Sequence, residues 1–140
     1  MKKIKVIEQY THAAEGYNPY LIRSQWQVAK LNYLDGHGLA QIGKMEVHRK
    51  TDEVFILLGG TAVLIASAQA DGKGSFEVIK MAMGVTYNIP TGVWHNIAMA
   101  PDAQMIIVEN NNTHLHDVTY TQLDEATRAA LKQQINESLK

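Results

Sequence analysis

The chain of 140 residues has no cysteine. Disulfides and thiolate zinc sites are therefore excluded, and the composition suits a reducing compartment. Long apolar runs are also missing. Nothing approaches the ~20 residues of a membrane-spanning helix, and the N-terminus lacks the apolar stretch of a secretory signal, so a soluble cytoplasmic protein is expected. There is no excess of one charge. Lys+Arg 13 against Asp+Glu 14 gives a formal net charge of −1, which offers no field for nucleic acid or an anionic membrane. The N-terminal block "MKKIK" is too short to change that. Repeats, low-complexity tracts and linkers are absent. An apolar share of 46% and a charged share of 19% exclude a disordered chain. The length fits a single domain, residues 1–140.

Short apolar segments separated by turn signals follow one another. "GYNPY" (residues 16–20) reads as a turn. "WQVAKLNYL" (26–34) alternates and reads as a strand, with Trp26 in the core. "LAQIGKMEV" (39–47) reads as a second strand after the turn "DGHG". "DEVFILL" and "GGTAVLIASA" read as two strands joined at Gly59-Gly60, and "DGKG" (71–74) as a hairpin turn into "SFEVIKMAM". "VTYNI", "TGVWHNIAMA" and "MIIVEN" complete about eight strands. The spacing predicts an all-β sandwich or barrel over about residues 25–110.

The last twenty residues differ. "TQLDEATRAALKQQINESLK" has no Gly or Pro and is rich in helix formers, so a C-terminal helix is expected over about 121–139. Thr121 and Asp124 resemble a capping box. Leu123, Ala126, Ala130, Leu131, Ile135 and Leu139 form an apolar stripe that would pack on the barrel or on a second subunit. The opposite face carries both signs of charge, which disfavours a membrane-surface helix.

The chemistry concentrates in "KMEVHRKTDE". Strand parity puts Lys44, Glu46 and His48 on one face and Met45 and Val47 on the other. Burying a lysine, a glutamate and a histidine together inside a barrel is costly without partners. A divalent cation is one such partner, because carboxylate and neutral imidazole are good ligands for first-row metals. Glu53 opens the next strand and can reach His48 across the short connection. His95, in "GVTYNIPTGVWHN", supplies a second imidazole.

Both stretches resemble the two motifs of the cupin superfamily. The first motif runs His, one residue, His, four residues, Glu, six residues, Gly. Here that spacing holds Glu46, His48, Glu53 and Gly60, with glutamate at the first histidine position. The second runs Gly, five residues, Pro, one residue, Gly, two residues, His, three residues, Asn. Here it holds Gly84, Pro90, Gly92 and His95, with Met99 at the asparagine position. Ala40 stands where the first motif opens on glycine. The resemblance implies a double-stranded β-helix (jelly-roll) barrel. It also implies a divalent transition metal (Mn, Fe, Ni, Co or Zn) on Glu46, His48, Glu53 and His95, and a homodimer. The functions it suggests are a metal-dependent isomerase or epimerase, lyase or dioxygenase acting on a small polar metabolite. The alternative is a metal-free cupin module that binds or senses a metabolite.

Other polar residues divide less sharply. Lys44 shares the parity of the ligands and is a candidate acid, base or carboxylate partner, although such a lysine more often reaches out to the rim. Tyr87 is an equal choice between core and pocket, with its hydroxyl a candidate acid or base. Trp94 and Asn96 face away from His95. His114 and His116 read as a solvated loop, and His12 and His37 as surface histidines.

Overall fold

The computed structural model describes residues 6–140; "MKKIK" lies outside the described residues. Ten strands and two helices follow in chain order. The strands are β1 (Gly16–Ile22), β2 (Gln27–Asn32), β3 (Lys44–Val47), β4 (Glu53–Gly59), β5 (Ala62–Ser67), β6 (Phe76–Lys80), β7 (Thr86–Ile89), β8 (His95–Met99), β9 (Gln104–Glu109) and β10 (Thr119–Gln122). The short helix α1 (Thr113–His116) precedes β10, and α2 (Glu125–Ser138) ends the chain. They form two five-stranded antiparallel sheets, ordered β1-β2-β9-β4-β7 and β10-β3-β8-β5-β6.

The apolar patterns explain how the sheets pack. In the first sheet one face is buried and residues alternate: Ala29 and Leu31 on β2, Phe55 and Leu57 on β4, and Met105 and Ile107 on β9 enter one core cluster. The second sheet is covered on both faces, so the central strands β5 and β8 read as almost continuous buried runs. Leu64, Ile97 and Met99 join the first cluster. Met45, Val47, Val63, Ile65 and Ala98 form a second cluster with Trp94, Leu131 and Ile135, which seats α2 on the outer face.

Several expectations are corrected. "GYNPY" is strand, not turn. Proline is tolerated there because β1 is an edge strand and its register slips between Asn18 and Leu21, around Pro19. Residues 39–43 do not extend β3, because the Gln41 side chain accepts from the backbone N–H groups of Gly36 and Gly38 and closes a turn. Trp26 is 44% exposed. Inward parity belongs to Gln27, Ala29 and Leu31, which leaves Trp26 outside. Thr121 is no helix cap. It pairs with Met45 in β10, and α2 starts four residues later with Asp124 accepting from the Thr127 N–H at 2.7 Å. Ala126 and Ala130 are exposed, so the contact stripe narrows to Leu131 and Ile135 on α2, with Leu139 at its margin and Leu123, just before the helix, buried in the same cluster.

Candidate metal centre

Glu46, His48, Glu53 and His95 come together. One ligating atom of each lies within 4.8 Å of all the others. Strand register builds the cluster: Glu46 on β3 pairs directly with His95 on β8, both in the second sheet. Glu53 opens β4 in the facing sheet, and His48 follows the end of β3. Glycine holds the turn between the two motifs. Gly92 adopts φ 81°, a left-handed conformation that side chains disfavour, and its N–H donates to the His48 carbonyl at 2.8 Å. Asp52 ties the same turn down by accepting from the Thr91 N–H and hydroxyl and from Asn88.

The ring orientations decide the chemistry. His48 Nδ1 lies 2.7 Å from the Asp117 carbonyl oxygen, and His95 Nδ1 lies 2.9 Å from that of Val93. A carbonyl only accepts, so each Nδ1 must carry the proton, and a neutral ring presents a bare Nε2 lone pair. Both Nε2 atoms face one carboxylate oxygen, Glu53 Oε2, at 2.7 Å from His48 and 2.8 Å from His95. Glu46 Oε1 is 3.6 Å from His95 Nε2. The His48 contact is short, but the ring N–H direction misses the oxygen, so the buried Nε2 has no hydrogen-bond partner. Acceptors aimed at one point need positive charge among them.

Protons supply it without metal. Burial opposes charge on His48, but the adjacent Glu53 carboxylate wins and lifts the imidazole to about 9. His95 is likewise pushed up by Glu53 against its burial. Glu53 is held down to about 2 by the two rings, although burial acts the other way. Burial and the nearby Glu53 charge push Glu46 up. The donor set fits a divalent first-row cation equally well: two imidazole Nε2 atoms in the right tautomer, and two carboxylates whose charge it would neutralise.

The sequence matches no known family model and no curated protein. The architecture does match solved structures. One is a cupin-2 domain protein from Shewanella frigidimarina, with TM-score 0.50, 20% identity, and coverage of 72% of this chain and 85% of that one. Another is an RmlC-like cupin family protein with a double-stranded β-helix fold from Methanocaldococcus jannaschii, with TM-score 0.53, 13% identity, and coverage of 81% and 96%. The fold is that of the cupins. A Bacillus halodurans protein agrees to a similar degree, with TM-score 0.54, 17% identity, and coverage of 83% of each chain.

Within this cupin fold the cluster opens on a cavity of about 170 Å³. Leu31, Phe55, Ile97 and Ile107 form its apolar wall. Lys44 does not enter it. Lys44 is exposed at the rim, with Nζ 4.3 Å from the centre of the Tyr120 ring. Tyr87 lines a different cavity, and its hydroxyl accepts from the Ala82 N–H at 2.9 Å. Trp94 and Asn96 lie on the far face: the Trp94 indole donates to the Ala70 carbonyl and Asn96 to that of Lys44.

Three histidines lie deeper than their sequence context suggests, two of them on the cavity. His37 is half-buried and lines the cavity, where Nδ1 meets the Ile97 carbonyl at 3.2 Å. His114 sits in a helical turn rather than a solvated loop and also lines the cavity. His116 is exposed, as expected. His12 is half-buried, and its carbonyl accepts from Lys30 and Asn32.

Sequence reasoning missed Glu109, Tyr17, Gln27 and Asp117. Parity in "MIIVEN" carries the signal for Glu109, which shares a face with the inward Met105 and Ile107. No local pattern marks Asp117. Its carbonyl holds His48, and its carboxylate accepts from the Arg49 and Lys50 N–H groups at 2.8 Å each.

Proposed function

We propose that this protein binds one divalent first-row cation through His48 Nε2, His95 Nε2, Glu53 and Glu46, and uses it on a small polar metabolite in the adjoining cavity. The carrying observation is the ring arrangement: both Nδ1 atoms are spent on carbonyls, and both Nε2 atoms converge on Glu53 Oε2. The bound cation would act as a Lewis acid on a ligand oxygen. The chain's own residues would orient that ligand against the apolar wall and keep bulk water from it.

The reactions within reach are isomerisation or epimerisation, elimination and oxygen insertion. In this reading Lys44, at the rim over the Tyr120 ring, would pair with a carboxylate on an incoming ligand. Tyr87 faces another cavity and takes no part in this reading. The homodimer belongs to the same proposal. Val28, Val54, Ile56, Ile106 and Val108 make a half-buried apolar face on the first sheet, opposite the core, where among the described residues no helix lies as α2 does on the second.

Loading the purified protein with Mn, Fe, Co, Ni or Zn and measuring bound metal tests the proposal. About one equivalent, lost in His95→Ala with the fold retained, is the expected result. A metal-free protein that a metabolite stabilises would favour a binding module instead.

A further inference from the structure

Beside the metal cluster lies a second polar group, built around one carboxylate. Glu109 is 6% exposed. It faces Gln27 across the β2–β9 pairing and lines the same cavity. Its partners form a directed chain. The Asn112 N–H donates to Gln27 Oε1 at 2.8 Å, which fixes the amide and turns its NH₂ inward. Gln27 Nε2 then donates to the Tyr17 hydroxyl at 2.9 Å and to Glu109 Oε1 at 3.2 Å, and also meets His114 Nδ1 at 3.2 Å. Tyr17, its lone pair used by Gln27, donates its own proton to Glu109 Oε1.

The two donors that reach Glu109, the Tyr17 hydroxyl and Gln27 Nε2, both go to Oε1. Glu109 Oε2 is buried, has no hydrogen-bond partner and lies 4.0 Å from His48 Nε2. A carboxylate kept only for structure would have both oxygens bonded, because an unsatisfied buried acceptor costs roughly 1–3 kcal/mol. Its distance from the mutually close ligating atoms also matters. Glu109 does not join the group of four within 4.8 Å, so it stands beside the metal position rather than in it.

We propose that Glu109 is the specificity-determining residue of this cavity, and that Oε2 accepts a hydrogen bond from a hydroxyl of a ligand held at the metal cluster. The ligand class that satisfies both is a small hydroxy carboxylate: one oxygen for the cation and a neighbouring O–H for Glu109. The apolar wall of Leu31, Phe55, Ile97 and Ile107 leaves room for only a short carbon skeleton. The inference rests on the metal-site reading above.

Glycolate and acetate are the probes, since they differ by one hydroxyl. Their affinities for Mn-loaded protein are measured by calorimetry in the wild type and in Glu109→Gln, with metal content determined in each. In the variant, the Tyr17 and Gln27 donors hold the amide oxygen, so an NH₂ that cannot accept faces the cavity. The glycolate-over-acetate preference is expected to fall by about tenfold or more in Glu109→Gln, as expected for losing a hydrogen bond to a charged acceptor, with bound Mn unchanged. Tyr17→Phe, which frees the carboxylate to turn, is expected to lower it by a smaller factor. A preference that stays within about twofold of the wild type in Glu109→Gln at full Mn occupancy overturns the assignment. Wild-type protein that takes up none of Mn, Fe, Co, Ni and Zn overturns the metal reading, and this inference with it, before either probe is added; where another of these metals loads in place of Mn, the same titrations are run with it.

Discussion

His48 Nε2 and Glu53 Oε2 stand 2.7 Å apart in the interior, while the other nitrogen of the same ring meets the Asp117 carbonyl at 2.7 Å. Two acceptors at that separation repel unless a proton or a cation lies between them. The rest of the site answers that requirement, and its consequences can be measured.

Removing the central carboxylate leaves two buried imidazoles without the charge that favours their protons. Glu53→Ala is expected to lower the stability of the metal-free protein by about 3 kcal/mol, the usual range for breaking a buried ion pair from one side. Urea denaturation reads this directly. A loss below about 0.5 kcal/mol would mean that the rings are neutral and uncoupled from Glu53.

The pH response of metal-free protein follows from the shifts. Glu53 is lowered from 4.5 to about 2, so its contribution is present above about 4.5 and is lost as pH falls through about 2. His48 is raised from 6.5 to about 9, so its contribution is complete below about 6.5 and is lost as pH rises through about 9. Glu109 is raised from 4.5 to about 7 by burial and by the Glu53 charge, which costs stability progressively between those values. The metal-free protein should melt highest near pH 4.5–5 and fall toward pH 9. Mn-loaded protein should show the opposite trend over the same range, because the cation displaces protons. Parallel melting curves with and without Mn would contradict this.

Asp117 is not one of the four ligating residues, yet its carbonyl fixes His48 and its carboxylate the two N–H groups after it. Asp117→Ala keeps the backbone carbonyl and loses the clamp on Arg49 and Lys50. Metal affinity should drop by about tenfold to a hundredfold, the usual effect of loosening a ligand's support. Competition with a fluorescent chelator measures it, and an unchanged affinity would remove Asp117 from the account.

Far from the site, Ile135→Ala should cost about 2–4 kcal/mol by opening a cavity between α2 and the second sheet. Metal stoichiometry should not move. If metal binding falls in step with stability, α2 does more than cover the sheet.

The contrast between these residues shows what the sequence could reveal. Glu46, His48, Glu53 and His95 were legible as candidates because strand parity and motif spacing are local; register sets Glu46 beside His95, and the fold brings the four groups together. Glu109 carried a parity signal but lay outside any motif. Tyr17 was hidden because Pro19 made its edge strand look like a turn. Asp117 and His114 act through a helical turn whose place over the cavity is set by contacts more than sixty residues apart in sequence. Trp26 misled in the other direction: aromatic character suggested burial, while parity gave the inward positions to Gln27, Ala29 and Leu31.

Elemental analysis of protein expressed with Mn, Fe, Co, Ni and Zn supplied, with His95→Ala alongside, tests the central claim most directly. The account predicts about one equivalent of a single divalent metal in the wild type and little in the folded variant. Metal-free wild type under all of these conditions would contradict it.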